Sequence, residues 1–406
     1  MGKRLFYAIL CVTGLFALLS STLSKSPVLI YFAESLATPV YLMGFIASAS
    51  TIPGVLASLP AGTLSDRWGS AKVIIASGVI FASAPFLYLF VTGPLQLIAV
   101  RFYHGFATAI FGPVANAAIV ARFPESKAEK ISLFSSITYI GRFTAPLLGG
   151  YILLTSVSNF NELYLIDGIM GALALLIAVW LRENGGRGKE GYTGIANDAG
   201  NAEKAIGRRS LRRDWKEVAA NGKVLAASFV EATQYYTIGA FEFYVVAYAK
   251  DVLGLDPFSV GIIALVEPLA VFLGKPAMGR LSDRVGRRTP IRLGLILGAI
   301  ALIVFPFAAG FIQLTVVSVA YGLGISLVTS STPPLVTELC RKEVCGSALG
   351  FLSTLMDVGQ VLGPIVTGLL LAATFGYFIS FAHLGVVLLL SFFVFSISTR
   401  GRKASA

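Results

Sequence analysis

Charge is what this sequence has least of. Only 13% of its 406 residues are Asp, Glu, Lys or Arg, about half the ~25% of a soluble domain, too few to clothe a soluble fold. Histidine is scarcer still: His104 and His383 lie on distant apolar runs and make no metal site. Three cysteines, Cys11, Cys340 and Cys345, supply no disulfide framework. Two of them fall in a connection assigned below to the cytoplasm, where free thiols are expected. No Gly-x-x-x-x-Gly-Lys-Ser/Thr run occurs, so ATP is not the expected energy source. Neither a cofactor nor an enzymatic activity is expected.

Apolar length is abundant, with 56% of residues hydrophobic. A helix needs about 20 mainly apolar residues to cross the hydrocarbon core, and such stretches follow one another from end to end. Twelve spans are predicted, at 5–29, 38–61, 71–92, 95–121, 131–155, 163–181, 223–249, 258–279, 290–309, 312–338, 346–371 and 375–397. Gly and Pro inside them are tolerated in membranes. The N-terminal Met1–Arg4 and its apolar run read as the first helix; no small-residue cleavage site follows them as in a signal peptide. The expected organisation is an N-terminal six-helix bundle (1–183), a cytoplasmic linker (184–222) and a C-terminal six-helix bundle (223–406). The linker is rich in Gly, Asn, Ala and charge. Its end, Leu211–Val218, reads as a solvated stretch or a short basic helix on the inner surface.

The net charge is +11, and its placement explains it without nucleic acid. Of 32 Lys and Arg, 27 fall in one alternating set of connections, and the opposite set holds only Lys250. Positive residues stay inside, so both termini and the linker are expected in the cytoplasm of a cell-membrane protein.

Shifted by 217 residues, the sequence meets itself. Gly62, Leu64, Ser65, Asp66, Arg67 and Gly69 align with Gly279, Leu281, Ser282, Asp283, Arg284 and Gly286. After one inserted residue, Gly141, Pro146 and Gly150 align with Gly359, Pro364 and Gly368. Two repeats of the same topology place a substrate path between them, near the midplane.

The paired segments Gly62-Thr-Leu-Ser-Asp66-Arg67-Trp-Gly69 and Gly279-Arg-Leu-Ser-Asp283-Arg284-Val-Gly286-Arg287-Arg288 resemble motif A of the major facilitator superfamily. Leu97-Ile-Ala-Val-Arg101-Phe-Tyr-His104-Gly105 resembles its motif B. Gly141-Arg142-Phe-Thr-Ala145-Pro146-Leu-Leu-Gly149-Gly150 resembles its motif C, and Gly350, Gly359, Gly363, Pro364 and Gly368 repeat that pattern. The resemblance covers the whole chain and implies an all-α secondary transporter of two pseudo-symmetric six-helix bundles. Ser70, Ala71, Ser132 and Ala145 depart from the usual pattern. Motif A then forms a cytoplasmic gate, unless it is a plain loop held by topology signals. Motif C reports close packing as readily as direction of transport. Arg101 is implied in proton coupling, or else snorkels to the outer interface.

In that frame helices 1, 4, 7 and 10 line the cavity. The first half contributes Lys25, Arg101 and Arg142, and the second Glu231, Glu242, Glu267 and Asp357, with Lys275 the exception. Repeat symmetry sets Lys25 opposite Glu242 near the outer ends, and Arg142 is expected to pair with Glu267 across the halves. Asp357 and Glu231 are the proton-site candidates, since a carboxyl at that depth can take up and release a proton. Alternatively, each acid is permanently paired or faces water. Asp167 is expected at the outer interface. Tyr235 and its aromatic neighbours on helix 7 favour an amphipathic substrate. No acid lies between Leu5 and Leu29, which departs from the usual drug antiporters of the family. The leading expectation is a monomeric, proton-coupled exporter of small amphipathic molecules. The alternatives are an importer or facilitator of an anionic or zwitterionic metabolite, and a non-transporting membrane sensor.

Overall fold

In hydrocarbon every backbone N–H and C=O must be satisfied within the chain, which leaves helices for sequences of this pattern. The computed structural model describes residues 2–56, 69–155, 160–184, 218, 220–341 and 344–399. Its elements there are all helical. They are α1 (Lys3–Leu23), α2 (Val28–Ser35), α3 (Val40–Ala49), α4 (Ser70–Tyr88), α5 (Pro94–Arg122), α6 (Lys127–Thr155), α7 (Phe160–Asn184), α8 (Gly222–Asp251), α9 (Pro257–Val285), α10 (Arg288–Val304), α11 (Phe311–Thr329), α12 (Thr332–Leu339), α13 (Cys345–Ala372) and α14 (Gly376–Ser398).

Ten spans among the described residues are long and apolar enough to cross a membrane. The other two expected spans are the apolar helix Val40–Leu56 and α8. The latter has 30 residues, about 45 Å at 1.5 Å per residue, but carries Glu231 and Glu242. Four expected spans are not single helices: the second breaks at Ser50–Thr51, and the ninth continues past α10 as a 3-10 turn, Phe305–Phe307. The first breaks at Ser24–Pro27 and resumes as α2, so that it runs from Lys3 to Ser35 rather than over 5–29. The tenth breaks at Ser330–Ser331 and resumes as α12, whose first turn carries Pro333. Proline lacks an N–H and fits a first helical turn, where no intrahelical partner is needed.

The two repeats pack alike. In the first, α1 lies against α6 and α7, and α4 against α5 and α7; in the second, α8 lies against α13 and α14, and α10 against α11 and α14. The chain divides into two compact units. One holds Met1–Pro39, Ala49–Arg208 and Asp256–Ile262; the other holds Val40–Ser48, Arg209–Leu255 and Ile263–Ala406. The first unit's core includes Leu10, Phe81, Ala107, Phe111, Val114 and Ile119.

Glycine is required at the matched turn positions Gly69 and Gly286, with φ of 85° and 82°, a left-handed conformation that costs other residues. At Gly359 and Gly363 a side chain would run into the carbonyl oxygens of Ala232 and Tyr236. These two positions let α13 approach α8 closely.

Candidate functional site

Arg101 lies in the second turn of α5 and is only 2% exposed. Its Nη2 donates to Ser50 Oγ at 2.6 Å, while Nε has no partner among the described residues. One turn on, His104 is equally buried. Its Nδ1 is 3.4 Å from the Tyr88 hydroxyl. Tyr88 stacks on Tyr164 of α7, with ring centroids 4.6 Å apart and planes within 9°. Arg101 is therefore packed among polar and aromatic groups and does not snorkel.

Asp167 corrects the sequence expectation. It is fully buried, not interfacial, and its Oδ2 accepts a hydrogen bond from Ser24, at the break of the first span. Its depth along the helix is readable from the sequence, but the face it occupies is not.

In the second unit, Glu231 is 1% exposed on α8, and neither carboxyl oxygen is in hydrogen-bonding geometry with a partner among the described residues. Lys275 is within electrostatic reach, and the Thr332 hydroxyl is adjacent. That hydroxyl donates its proton to the Val328 carbonyl at 2.9 Å. Gln234 is fully buried one turn on, beside the Tyr321 hydroxyl, with neither amide atom in hydrogen-bonding geometry among the described residues. Thr237 follows, accepting from the Tyr321 hydroxyl at 2.8 Å. Glu231, Gln234 and Thr237 make a polar stripe at three-residue spacing, a signal present in the sequence, although only Glu231 was expected to take part. Glu242 and Glu267 both lie within electrostatic reach of Tyr321, and Glu267 is 4% exposed.

Of the remaining predicted residues, Lys25 is half-buried in the Ser24–Pro27 turn. Arg142 is half-buried with its guanidinium 5.8 Å from the Tyr139 ring centroid. Asp357 and Tyr235 are half-buried on α13 and α8. Gly141 packs its α6 backbone on Leu15, Gly149 faces Leu23 and Val28, Gly150 faces Pro257, and Gly368 faces the Tyr244 hydroxyl. The carbonyl of Pro364 accepts from that hydroxyl at 3.1 Å, and Pro146 lies within α6.

Gly62, Asp66 and Arg67 of the first motif A copy lie outside the described residues, as do the basic stretch 211–217 and most of the linker. In the second copy, Gly279 opens onto free space and Asp283 pairs with Arg287. Arg284 is exposed. Arg287 also reaches Glu338 at 3.0 Å, tying the α9–α10 turn to α12. Glu338 and then Asp283 hold the guanidinium above its ordinary range. Both carboxylates are more than half exposed, so each pair contributes at most about 1 kcal/mol.

The family model described as Major Facilitator Superfamily matches residues 9–266 and 224–406. The multi-drug resistance efflux pump PmrA of Streptococcus pneumoniae is 24% identical over 340 residues, 83% of this chain and 81% of that one. The probable galactarate/D-glucarate transporter GudP of Bacillus subtilis is also 24% identical, over 371 residues, 82% of this chain and 78% of that one. The crystal structure of the nucleoside transporter NupG superposes with a TM-score of 0.72 at 17% identity, covering 99% of this chain and 100% of that one.

Proposed function

Since the chain belongs to the Major Facilitator Superfamily, and is a multi-pass membrane transporter, we propose that it expels small amphipathic molecules from the cell in exchange for protons. Glu231 carries the proton-coupling part of this reading: a carboxyl 1% exposed on a spanning helix, neither oxygen in hydrogen-bonding geometry with a donor among the described residues, with Lys275 and the Thr332 hydroxyl nearby. Removing a carboxylate from water costs several kcal/mol, which Lys275 offsets in part and a bound proton removes. The adjacent Thr332 oxygen can accept from the acid form. Arg101 supplies the fixed positive charge of the first half, and Asp357 is a second carrier. Tyr235 and Tyr236 on α8 supply aromatic surface for an apolar ligand. The efflux pump among the relatives supports export. In the bilayer the chain acts as a monomer with both termini in the cytoplasm, and the two bundles alternate access to a site near the midplane.

A second reading has a specific observation behind it. A buried guanidinium with a free Nε is an anion-recognition group, and one relative is named for transport of dicarboxylic sugar acids. Import of an anionic metabolite past Arg101 and Arg142 follows from it.

Ethidium efflux from proteoliposomes under an imposed pH gradient separates the two. Gradient-driven efflux in the wild type, lost in Arg101→Ala and in Glu231→Gln, is the expected result. Efflux that ignores the gradient, or persists in both variants, overturns the coupling assignment. No efflux at any gradient, together with uptake of radiolabelled glucarate, favours the second reading.

A further inference from the structure

Asp167 lies in none of the three motifs, and the mechanism above does not use it. It is nevertheless fully buried on α7. Its Oδ1 has no partner in hydrogen-bonding geometry among the described residues, and its Oδ2 touches the Ser24 hydroxyl. No lysine or arginine among the described residues forms an ion pair with it. The groups that face it are Ser20 and Ser24 from α1 and its terminal turn, Tyr88 from α4, and Tyr164 from its own helix. Both tyrosines also lie within electrostatic reach of Arg101 on α5, and His104 stands behind Tyr88. Lys25 follows Ser24 in the turn.

The second repeat shows what the fold itself requires at this place. The shift of 217 residues holds here in three dimensions: Gly168 packs on Phe86, and their counterparts Gly385 and Ile303 pack on each other. The Tyr88–Tyr164 stack corresponds to the Phe305–Phe381 stack, with centroids 4.1 Å apart. In the same register Ser24 becomes Phe241, His104 becomes Tyr321, and Asp167 becomes Leu384. Phe241, Phe305, Phe381 and Leu384 are all buried to within 1%. The architecture is thus satisfied by an apolar plug. The first repeat places a carboxyl there instead, at a cost in desolvation.

Proton accounting indicates what that carboxyl does. The Ser24 hydroxyl has one proton and two acceptors in reach, Asp167 Oδ2 and the Ser20 carbonyl at 3.2 Å. With a proton on Asp167, the carboxyl donates to Ser24 Oγ, and Ser24 donates to Ser20. Without it, Ser24 turns its hydroxyl proton to the carboxylate, beside the Ser20 hydroxyl as a second donor, while the Ser20 carbonyl keeps the Ser24 backbone N–H at 3.2 Å. We propose that Asp167 is a proton-binding site of the first repeat, and that its two states switch the Ser24 hydroxyl between the carboxyl and the Ser20 carbonyl at the break of the first span. The proton comes from water, and the reaction is carboxylate plus proton giving the neutral acid. The inference deepens the proton-coupling reading and rests on it for its consequence in transport.

The test needs no substrate. The full chain in lipid nanodiscs is titrated with pH, and the carbonyl stretch of protonated carboxylic acids is followed by infrared difference spectroscopy. The expected result is a titrating band that is absent in Asp167→Asn and retained in Glu231→Gln and Asp357→Asn. Ser24→Ala moves its midpoint by about one pH unit, the size expected for loss of one hydrogen bond. A band set unchanged in Asp167→Asn overturns the proposal. If that variant does not fold, midpoints unmoved in Ser24→Ala overturn it instead. The expected band without gradient-driven ethidium efflux leaves the proton site standing and removes the efflux reading, so the two fail separately.

Discussion

At the scale of single residues, the membrane makes every buried charge informative, but it leaves open what the charge touches. Arg101 illustrates both halves of this. Its type and depth were legible in the sequence; its hydrogen bond to Ser50 was not, because that contact depends on how two helices rotate against each other. The contact has an energetic consequence. Ser50→Ala leaves a second buried donor of Arg101 unsatisfied, which costs about 1–3 kcal/mol. The apparent unfolding temperature in detergent is expected to fall clearly, and Ser50→Thr, which keeps the hydroxyl, to restore most of it. Equal temperatures for wild type and Ser50→Ala would show that the hydrogen bond contributes no stability. Asp167 shows the limit of sequence reasoning more sharply. A position near the end of an apolar run suggests the interface, yet the helix turns that side chain inward onto Ser24. The polar stripe Glu231–Gln234–Thr237 was visible in the sequence as a three-residue spacing, but its burial was not.

At the scale of elements, apolar length locates spans well and their interruptions poorly. Pro27 and the pair Pro333–Pro334 stand at two of the breaks, where a missing N–H interrupts the ladder, but hydropathy runs straight across both. Helix ends are set by local chemistry of the kind found at Asp256. Its carboxylate accepts from the backbone N–H of Phe258 at 3.0 Å and of Ser259 at 3.1 Å, and from the Ser259 hydroxyl, so it caps the start of α9. The Ser259 hydroxyl, then its N–H, hold this carboxyl below its ordinary range. A depressed folded value means stability that is complete above the unfolded value, near 3.8, and lost as pH falls through the folded one. Asp256→Ala is therefore expected to lower stability by about 1 kcal/mol at neutral pH. The difference from wild type should shrink toward zero as the wild-type acid is protonated. Thermal unfolding in detergent at pH 7 and near pH 3 measures this. A difference that stays constant across that range would assign the loss to packing and not to the charge.

At the scale of the whole molecule, the repeat was the most legible feature of all. Matched glycines, prolines and acids at a fixed shift are recovered as matched helix pairings in both halves and as matched turn glycines. The chemistry does not follow that symmetry. The first repeat buries Arg101 and Asp167 where the second has Ser318 and Leu384, and the second buries Glu231 and Glu267. A transporter whose halves share a scaffold but differ in charge has a polarity, and the direction of that polarity depends on how the chain is inserted. The 27 positive residues on one set of connections fix that insertion if positive residues stay inside. In a background with its three cysteines replaced, Thr92→Cys, at the α4–α5 turn, and Ala309→Cys, at the α10–α11 turn, are both exposed positions. They are expected to react with a membrane-impermeant maleimide on intact cells. Arg284→Cys, exposed at the end of α9, is expected to react only after permeabilisation. The opposite pattern would invert the membrane topology. It would also reverse the side on which the Arg287–Glu338 tie holds the second repeat, and export would have to be argued again from the flux alone.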